Sequence, residues 1–232
     1  MDPFTIIGHR GACALEPENT LRSVRRAIAD GADMIEIDVR LADGEVVVIH
    51  DDTLERTTDG HGPLHEIPFQ ELRRLDAGDG ELIPTLQEVL DLTLGRLPLN
   101  IEIKESEASA AVCHLLGAIP DLDPAEILIS SFHEEAIRKT RQLLSAIPIG
   151  ILSSEEPVDQ CLQIADELGA RTLHPNIDSL EAEFVAAAHD AGLRVLPYTV
   201  RTDEQLERAL GCGADGCFAD DPAWARAMAN PH

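Results

Sequence analysis

The chain has 232 residues, 44% of them hydrophobic, and a formal net charge of −25. That length is ordinary for an α/β barrel and carries enough apolar residues for a large core, while so acidic a surface argues against a nucleic-acid partner and against docking on anionic membranes. Lys104 and Lys139 are the only lysines, a compositional hint of a saline habitat. No run approaches the ~18 apolar residues of a membrane span. The opening MDPFTIIGHRG lacks the basic start of a signal peptide, so a cytoplasmic location is expected. Cys13, Cys113, Cys161, Cys212 and Cys217 are odd in number and form no CxxC pair or zinc spacing. Buried free thiols in a reducing compartment are the expectation.

The predicted elements alternate from the start. Thr5 to Gly8 reads as a short strand ending at His9-Arg10. Pro17-Glu18-Asn19-Thr20 opens a helix to Asp30, with Asn19 or Thr20 as cap and Gly31 as stop. From Met34 the pattern has period two: Ile35, Ile37, Val39 and Leu41 on one face, Glu36, Asp38 and Arg40 on the other. Asp43-Gly44 signals a hairpin turn, and the run Val46 to Ile49 leads to His50. Residues 52–84 are irregular, with one short helical pattern over Pro68 to Leu75, and read as an excursion from the main fold. Thr85 then caps a helix, Leu86 to Leu94.

Beyond it, strands are predicted at Leu99–Lys104, Ile127–Ser131, Ile147–Leu152, Arg171–His174, Arg194–Val200 and Asp215–Ala219. Helices follow them near Ser106–Leu116 and at Glu134–Leu144, Val158–Leu168, Leu180–Ala191, Asp203–Leu210 and Pro222–Ala229. Such alternation demands a parallel sheet with helices outside it. Eight β-then-α units in one domain spanning residues 1–232 predict a closed (β/α)8 TIM barrel with a small insertion at about 52–84 after strand two. An open doubly wound sheet is the alternative.

Active sites of such barrels gather at the C-terminal ends of the strands. Strand one ends at His9-Arg10, strand two carries Glu36 and Asp38, and its hairpin return ends at His50-Asp51. The next strand repeats the alternation and puts Glu102 and Lys104 on one face. Taken alone, the Met34–Asp52 stretch also reads as an edge strand with a solvated acidic face. Convergence on one rim argues otherwise. Two carboxylates ~4 Å apart repel by about 4 kcal/mol at an effective dielectric of 20. Three must protonate, find cations or bind metal. Lys104 offsets one charge and a divalent ion two more, and all-oxygen ligands favour Mg²⁺ or Ca²⁺ over zinc. Arg10 and Lys104 suit a phosphate group. Two histidines suit one acid and one base. The chemistry that fits is cleavage of a phosphodiester.

HRG at His9 to Gly11, PENT at Pro17 to Thr20, EIDV at Glu36 to Val39, HDDTLERTTDG at His50 to Gly60 and EIK at Glu102 to Lys104 resemble the glycerophosphodiester phosphodiesterase family. The likeness runs on through PYTVRT at Pro197 to Thr202 and GADGCFADDP at Gly213 to Pro222, covering essentially the whole chain. It implies a (β/α)8 barrel with metal ligands Glu36, Asp38 and Glu102, acid/base roles for His9 and His50, and phosphate contacts from Arg10 and Lys104. It also implies hydrolysis of small glycerophosphodiesters, such as glycerophosphocholine or glycerophosphoethanolamine, to glycerol 3-phosphate and an alcohol. One route is attack by the glycerol 2-hydroxyl, giving a cyclic phosphate that water opens. Tyr198 stands where Trp is common in this family and Arg201 where Asn is usual, both at the rim, which bears on head-group preference.

Other residues carry two readings. Glu18 either favours the positive end of the first helix or belongs to the site. Phe132 and Tyr198 form an apolar wall for glycerol or the head group, or serve the core. Arg40 is a partner for Glu36 and Asp38. His133 and His174, at strand ends, read as hydrogen-bonded loop histidines, and His61, His65, His114, His189 and His232 as loop, helix or tail residues. Lipid-directed barrels (phospholipase D, sphingomyelinase, phosphoinositide phospholipase C) call for a secretion signal and exposed aromatics that are not evident. A non-catalytic relative would lack a histidine or an acid, and amidohydrolases use His-rich ligands.

Overall fold

The computed structural model describes residues 3–229; His232, read as a tail residue, lies outside them. The protein is a (β/α)8 barrel. Its strands are β1 (Thr5–Gly8), β2 (Met34–Ala42), β3 (Glu45–Val48), β4 (Leu99–Ile103), β5 (Ile127–Ser131), β6 (Ile149–Ser153), β7 (Thr172–Pro175), β8 (Arg194–Val195) and β9 (Gly216–Ala219). Eight run parallel in the order β8-β7-β6-β5-β4-β2-β1-β9, and β3 folds back antiparallel on β2. The main helices are α1 (Leu21–Ala29), α2 (Phe69–Leu72), α3 (Leu86–Thr93), α4 (Ser109–Gly117), α5 (Glu134–Leu143), α6 (Val158–Leu168), α7 (Ala182–Asp190), α8 (Asp203–Cys212) and α9 (Pro222–Ala229).

Closure depends on chain that is barely regular. The strand predicted over Arg194–Val200 keeps ladder geometry only at Arg194–Val195, because Pro197 has no amide hydrogen to give. The segment still bonds on both sides. Leu196 and Tyr198 donate to Leu173 and Pro175, Asp215 and Phe218 donate to Val195 and Pro197, and Val200 donates to Phe218, all at 2.8–2.9 Å. Those bonds join β7 to β9 and close the ring.

Period-two alternation sorts the side chains into two environments. Ile35, Ile37, Val39, Leu99, Ile101, Ile103 and Ile129 face the helices and belong to the principal core. The residues between them face the barrel axis. There Glu36, Asp38, Asn100, Glu102, Ser130 and His174 are all buried, opposite an apolar patch of Ile7, Leu196 and Phe218. Half of the barrel interior is therefore polar, and its open end is the site.

Local signals place the ends. Asp43 and Gly44 both have positive φ, at 50° and 86°, as the hairpin turn into β3 requires. Thr85 caps α3 in a capping box with Glu88. Of the two candidates for the α1 cap, Thr20 fills the role, accepting from the Ser23 amide. Asn19 adopts φ 59° and turns its side chain to Asp38. A 3₁₀ turn, Ser106–Ala108, takes up the first residues of the stretch predicted as helix before α4, and another, Ile177–Ser179, precedes the stretch predicted from Leu180, of which α7 forms Ala182–Asp190. Between β3 and α3 the chain leaves the barrel. That segment carries a 3₁₀ turn (Leu64–Glu66), α2 and a small core of Leu54, Leu64, Leu72, Ala77 and Ile83, packed on Val47 and Ile49.

Candidate active site

Strand register assembles the acidic centre. Asp38 pairs with Glu102 and Glu36 with Asn100 across β2 and β4, so carboxylates on the inward face become neighbours. One oxygen each of Glu36, Asp38 and Glu102 lies within 4.8 Å of the others. Asp38 is surrounded by donors: Asn19 Nδ2 at 2.9 Å, Arg10 Nε at 3.1 Å and Lys104 Nζ at 3.4 Å. Glu102 accepts from Lys104 Nζ at 2.5 Å, and Glu36 accepts from the Arg10 amide at 2.8 Å. That amide is aimed by a left-handed turn, Arg10 at φ 51° and Gly11 at φ 84°. A Cβ at Gly11 would sit 2.5 Å from the Ser23 carbonyl carbon, so only glycine fits there.

Burial and its neighbours drive these acids apart. Burial opposes ionisation of Asp38, but Arg10, Lys104 and His50 outweigh it and hold its carboxyl below the ordinary range. Glu36 is pushed well up by burial and by Asp38 and Glu102. Glu102 rises to about 7, from burial and Asp38 against Lys104. Glu36 Oε1 is buried without a hydrogen-bond donor, and Asp38 Oδ1 has only the Lys104 ammonium 3.4 Å away. Buried carboxylate oxygens without donors are costly. A cation among the three would satisfy them, so these residues could hold a metal ion, and their all-oxygen donor set fits a hard one.

The two histidines flank this centre. Gly8 pairs with Ala219, so the next residues on β1 and β9, His9 and Asp220, emerge side by side. His9 Nδ1 lies 2.6 Å from Asp220 Oδ1, and Arg201 Nε donates to Asp220 Oδ2 at 2.6 Å. His50 Nδ1 lies 2.5 Å from Asp51 Oδ1, and Arg56 grips Asp51 at 2.5 and 3.0 Å. Burial raises the Asp220 carboxyl, yet the His9 bond and Arg201 bring it well below the ordinary range. Asp51 is lowered chiefly by Arg56, and also by His50. Both carboxylates are thus ionised acceptors, which fixes the hydrogen on Nδ1 and leaves Nε2 of each ring for the cavity. Burial, with Arg10 and Lys104, pulls His50 below its ordinary value against the pull of Asp38 and Asp51.

His9, Arg10, Glu36, His50, Glu102, Lys104, Phe132 and Tyr198 line one open cavity of about 240 Å³, and Asp38 sits just beneath it. The residues given metal, acid/base, phosphate or wall roles from the sequence are therefore brought together. Phe132 and Tyr198 meet edge to face at 5.7 Å, with Lys104 Nζ 5.9 Å from the Phe132 ring. The Tyr198 hydroxyl donates to the Ser153 carbonyl at 3.1 Å.

A profile of the glycerophosphoryl diester phosphodiesterase family matches residues 9–224. The chain belongs to this family. It is 36% identical to the glycerophosphodiester phosphodiesterase of Caldanaerobacter subterraneus subsp. tengcongensis, with 94% of each chain covered. Identity to the Bacillus altitudinis enzyme is 33%, again over 94% of each. An Oleispira antarctica phosphodiesterase solved with its product sn-glycerol-3-phosphate superimposes with a TM-score of 0.90, at 32% identity over 97% of this chain and 96% of that one. The chain is accordingly an enzyme, a phosphoric diester hydrolase.

Several parts of this phosphodiesterase site depart from the sequence reading. Asp220 is not among the residues predicted for the site, although it directly follows β9, the strand-end position that marks the others. Arg40 does not pair with Glu36 or Asp38. It bonds the His50 carbonyl at 2.8 Å and Glu105 at 3.0 Å, since it lies past the last β2–β4 pair, Val39 with Ile103, in the part of β2 that pairs only with β3. Glu18 accepts from Arg10 and from Arg56, tying the arginine beside Asp38 to the His50 clamp. Cys13 and Cys212 are half-buried rather than buried, because a rim turn and a helix end leave them at the edge of the core. His174 is fully buried in the barrel axis, not in a loop; its Nε2 meets the Thr172 hydroxyl at 2.8 Å, and burial lowers its pKa to about 3. His133 is exposed at the start of α5, off the cavity.

Proposed function

We propose that this phosphodiesterase is metal-dependent and hydrolyses small glycerophosphodiesters, such as glycerophosphocholine and glycerophosphoethanolamine, to sn-glycerol 3-phosphate and an alcohol. The observation that carries the reading is one cavity bordered by two aspartate-held histidines, a three-carboxylate cluster and the cations Arg10 and Lys104. Glu36, Asp38 and Glu102 are the ligands, for Mg²⁺ or Ca²⁺. When bound, the cation neutralises the acids and polarises a phosphoryl oxygen.

Arg10 and Lys104 orient the phosphate and offset charge that builds on its oxygens. One histidine takes the proton of the attacking glycerol 2-hydroxyl through Nε2 as the new P–O bond forms. The other gives its proton to the leaving alkoxide as the old P–O bond breaks. A water then opens the cyclic phosphate with the two roles exchanged, which restores both rings. Burial, with Arg10 and Lys104, disfavours the charged form of His50, which suits the base. Phe132 and Tyr198 form the wall against the glycerol or the head group.

The setting is an expectation of the same kind. All five cysteines are free, which suits a reducing cytoplasm, and no helix of the described residues is long and apolar enough to cross a membrane. The net charge of −25 favours a small-molecule substrate over nucleic acid or an anionic bilayer. The chain is read as a single domain whose 52–84 excursion supplies the Arg56 clamp. The test is release of glycerol 3-phosphate from both substrates after EDTA treatment, then with Mg²⁺ or Ca²⁺ restored. Loss with EDTA and recovery with one ion is expected. Full turnover in EDTA would remove the metal from the reaction.

A further inference from the structure

A second group of ligand atoms meets at Nδ1 of His9. That nitrogen, Cys13 Sγ and an oxygen of Asp220 all lie within 4.8 Å of one another. Sγ stands 3.8 Å from Nδ1, and Nδ1 stands 2.6 Å from Asp220 Oδ1. The three come from the end of β1, the turn that follows it and the end of β9. Backbone bonds lock that spacing: His9 donates to the Ala219 carbonyl and Ala14 to the Asp220 carbonyl, both at 3.0 Å.

We propose that His9, Cys13 and Asp220 form a zinc site, and that zinc bound there switches the phosphodiesterase off. The donor set is one imidazole, one thiol and one carboxylate, the borderline-soft mixture that zinc selects, whereas the carboxylates of the acidic centre select a hard ion. Tetrahedral ligands at zinc bond lengths lie about 3.3–3.7 Å apart. The Cys13–His9 distance already nearly matches, and the His9–Asp220 pair has only to widen by less than about 1 Å. Asp220 has an outer partner in Arg201, which grips the oxygen that the site would not use. Half-buried Cys13 gives an entry path, and the fourth position is left for water.

Without a cation Cys13 is inert. Burial and the neighbouring Asp220 push its thiol far above the ordinary value, so it is no thiolate at neutral pH. A dication reverses that: the S–H proton goes to solvent as the S–Zn bond forms. Zinc likewise takes the Nδ1 lone pair of His9, and the ring's one remaining proton then resides on Nε2. Such a ring has no lone pair left to take up a proton, so it cannot cycle between the two protonation states that the acid and base steps need. The inhibition rests on the proton-transfer role proposed for His9; the binding does not.

The experiment uses the whole enzyme in excess Mg²⁺, so that the carboxylate centre is supplied with its own class of ion. Co²⁺ is the first probe, because thiolate ligation produces a charge-transfer absorption. Wild type should show the band, and Cys13→Ser and Cys13→Ala should lose it. Zn²⁺ is the second probe: half-inhibition should need about 10–100-fold more zinc in either variant, with turnover in the absence of zinc unchanged. No band, or equal zinc sensitivity of variants and wild type, overturns the site, the latter placing zinc at the carboxylates. A band with no inhibition overturns the switch and, with it, the role of His9.

Discussion

His9 and His50 each present Nδ1 to an aspartate that an arginine grips from behind, but the chain builds the two clamps differently. The His9 clamp joins residues 211 apart, and its two side chains are 11% and 17% exposed. Its arginine, Arg201, is 56% exposed and serves Asp220 alone among the ionic pairs. The His50 clamp joins sequence neighbours that are 31% and 22% exposed. Its arginine also binds Glu18, which binds Arg10, so this clamp continues into the acidic centre. One clamp is held by the barrel; the other is held by a side-chain network spread over the rim. His174 is the control: a histidine with a hydroxyl in place of a carboxylate, and it is held neutral. A nearby carboxylate, more than the histidine itself, equips the ring to handle a proton.

The comparison can be broken in order of expected effect. Removing either ring is the harshest change. His9→Ala and His50→Ala should each lower kcat by about 10²–10⁴-fold with the thermal transition retained. Near-normal turnover in a folded variant would end that ring's assignment. Replacing the clamping carboxylates comes next. Asp220→Asn and Asp51→Asn should each cost about 10–100-fold, the former more, because its pair is less open to water. Equal kcat losses, or the reverse order, would show that burial does not rank the clamps.

The arginines should invert that order. Arg56→Ala should cost up to about 10-fold and Arg201→Ala less, since only Arg56 carries the link to Glu18 and Arg10. Steady-state kinetics on both variants decide it, and a larger kcat loss at Arg201 would refute the network reading.

The smallest effect is on stability. The folded pKa of His174 lies near 3, while the unfolded value is about 6.5. Between those limits the unfolded chain binds a proton that the native chain does not. Stability therefore falls as pH drops from 6.5, by about 1.4 kcal/mol per pH unit from this residue. Urea unfolding at pH 6.5 and 5.5, in EDTA, should show the steeper loss in wild type than in His174→Asn; identical slopes would contradict the buried neutral ring.

Much of this was legible in the chain as written. Alternation over Met34–Leu41 and again over Leu99–Lys104 separates a helix-facing file from an axis-facing one, and charged residues in the axis file mark Glu36, Asp38 and Glu102. The turn chemistry of Asp43-Gly44 and the box at Thr85 and Glu88 are equally local. Both depend on residues a few positions apart, which is why sequence alone determined the barrel, the acidic strands and the His50-Asp51 pair. Closure was different. It places β9 beside β1, and only that register sets Asp220 against His9 and Cys13. Pro197 breaks the β8 ladder where periodicity predicts a longer strand, and Asn19 left the helix cap to hold Asp38. Arg40, Glu18 and His174 likewise found partners that spacing could not name. Long side chains reach several neighbours, and burial decides which of them stay charged. Those choices depend on distance and desolvation in the folded chain, so the tertiary structure alone made them.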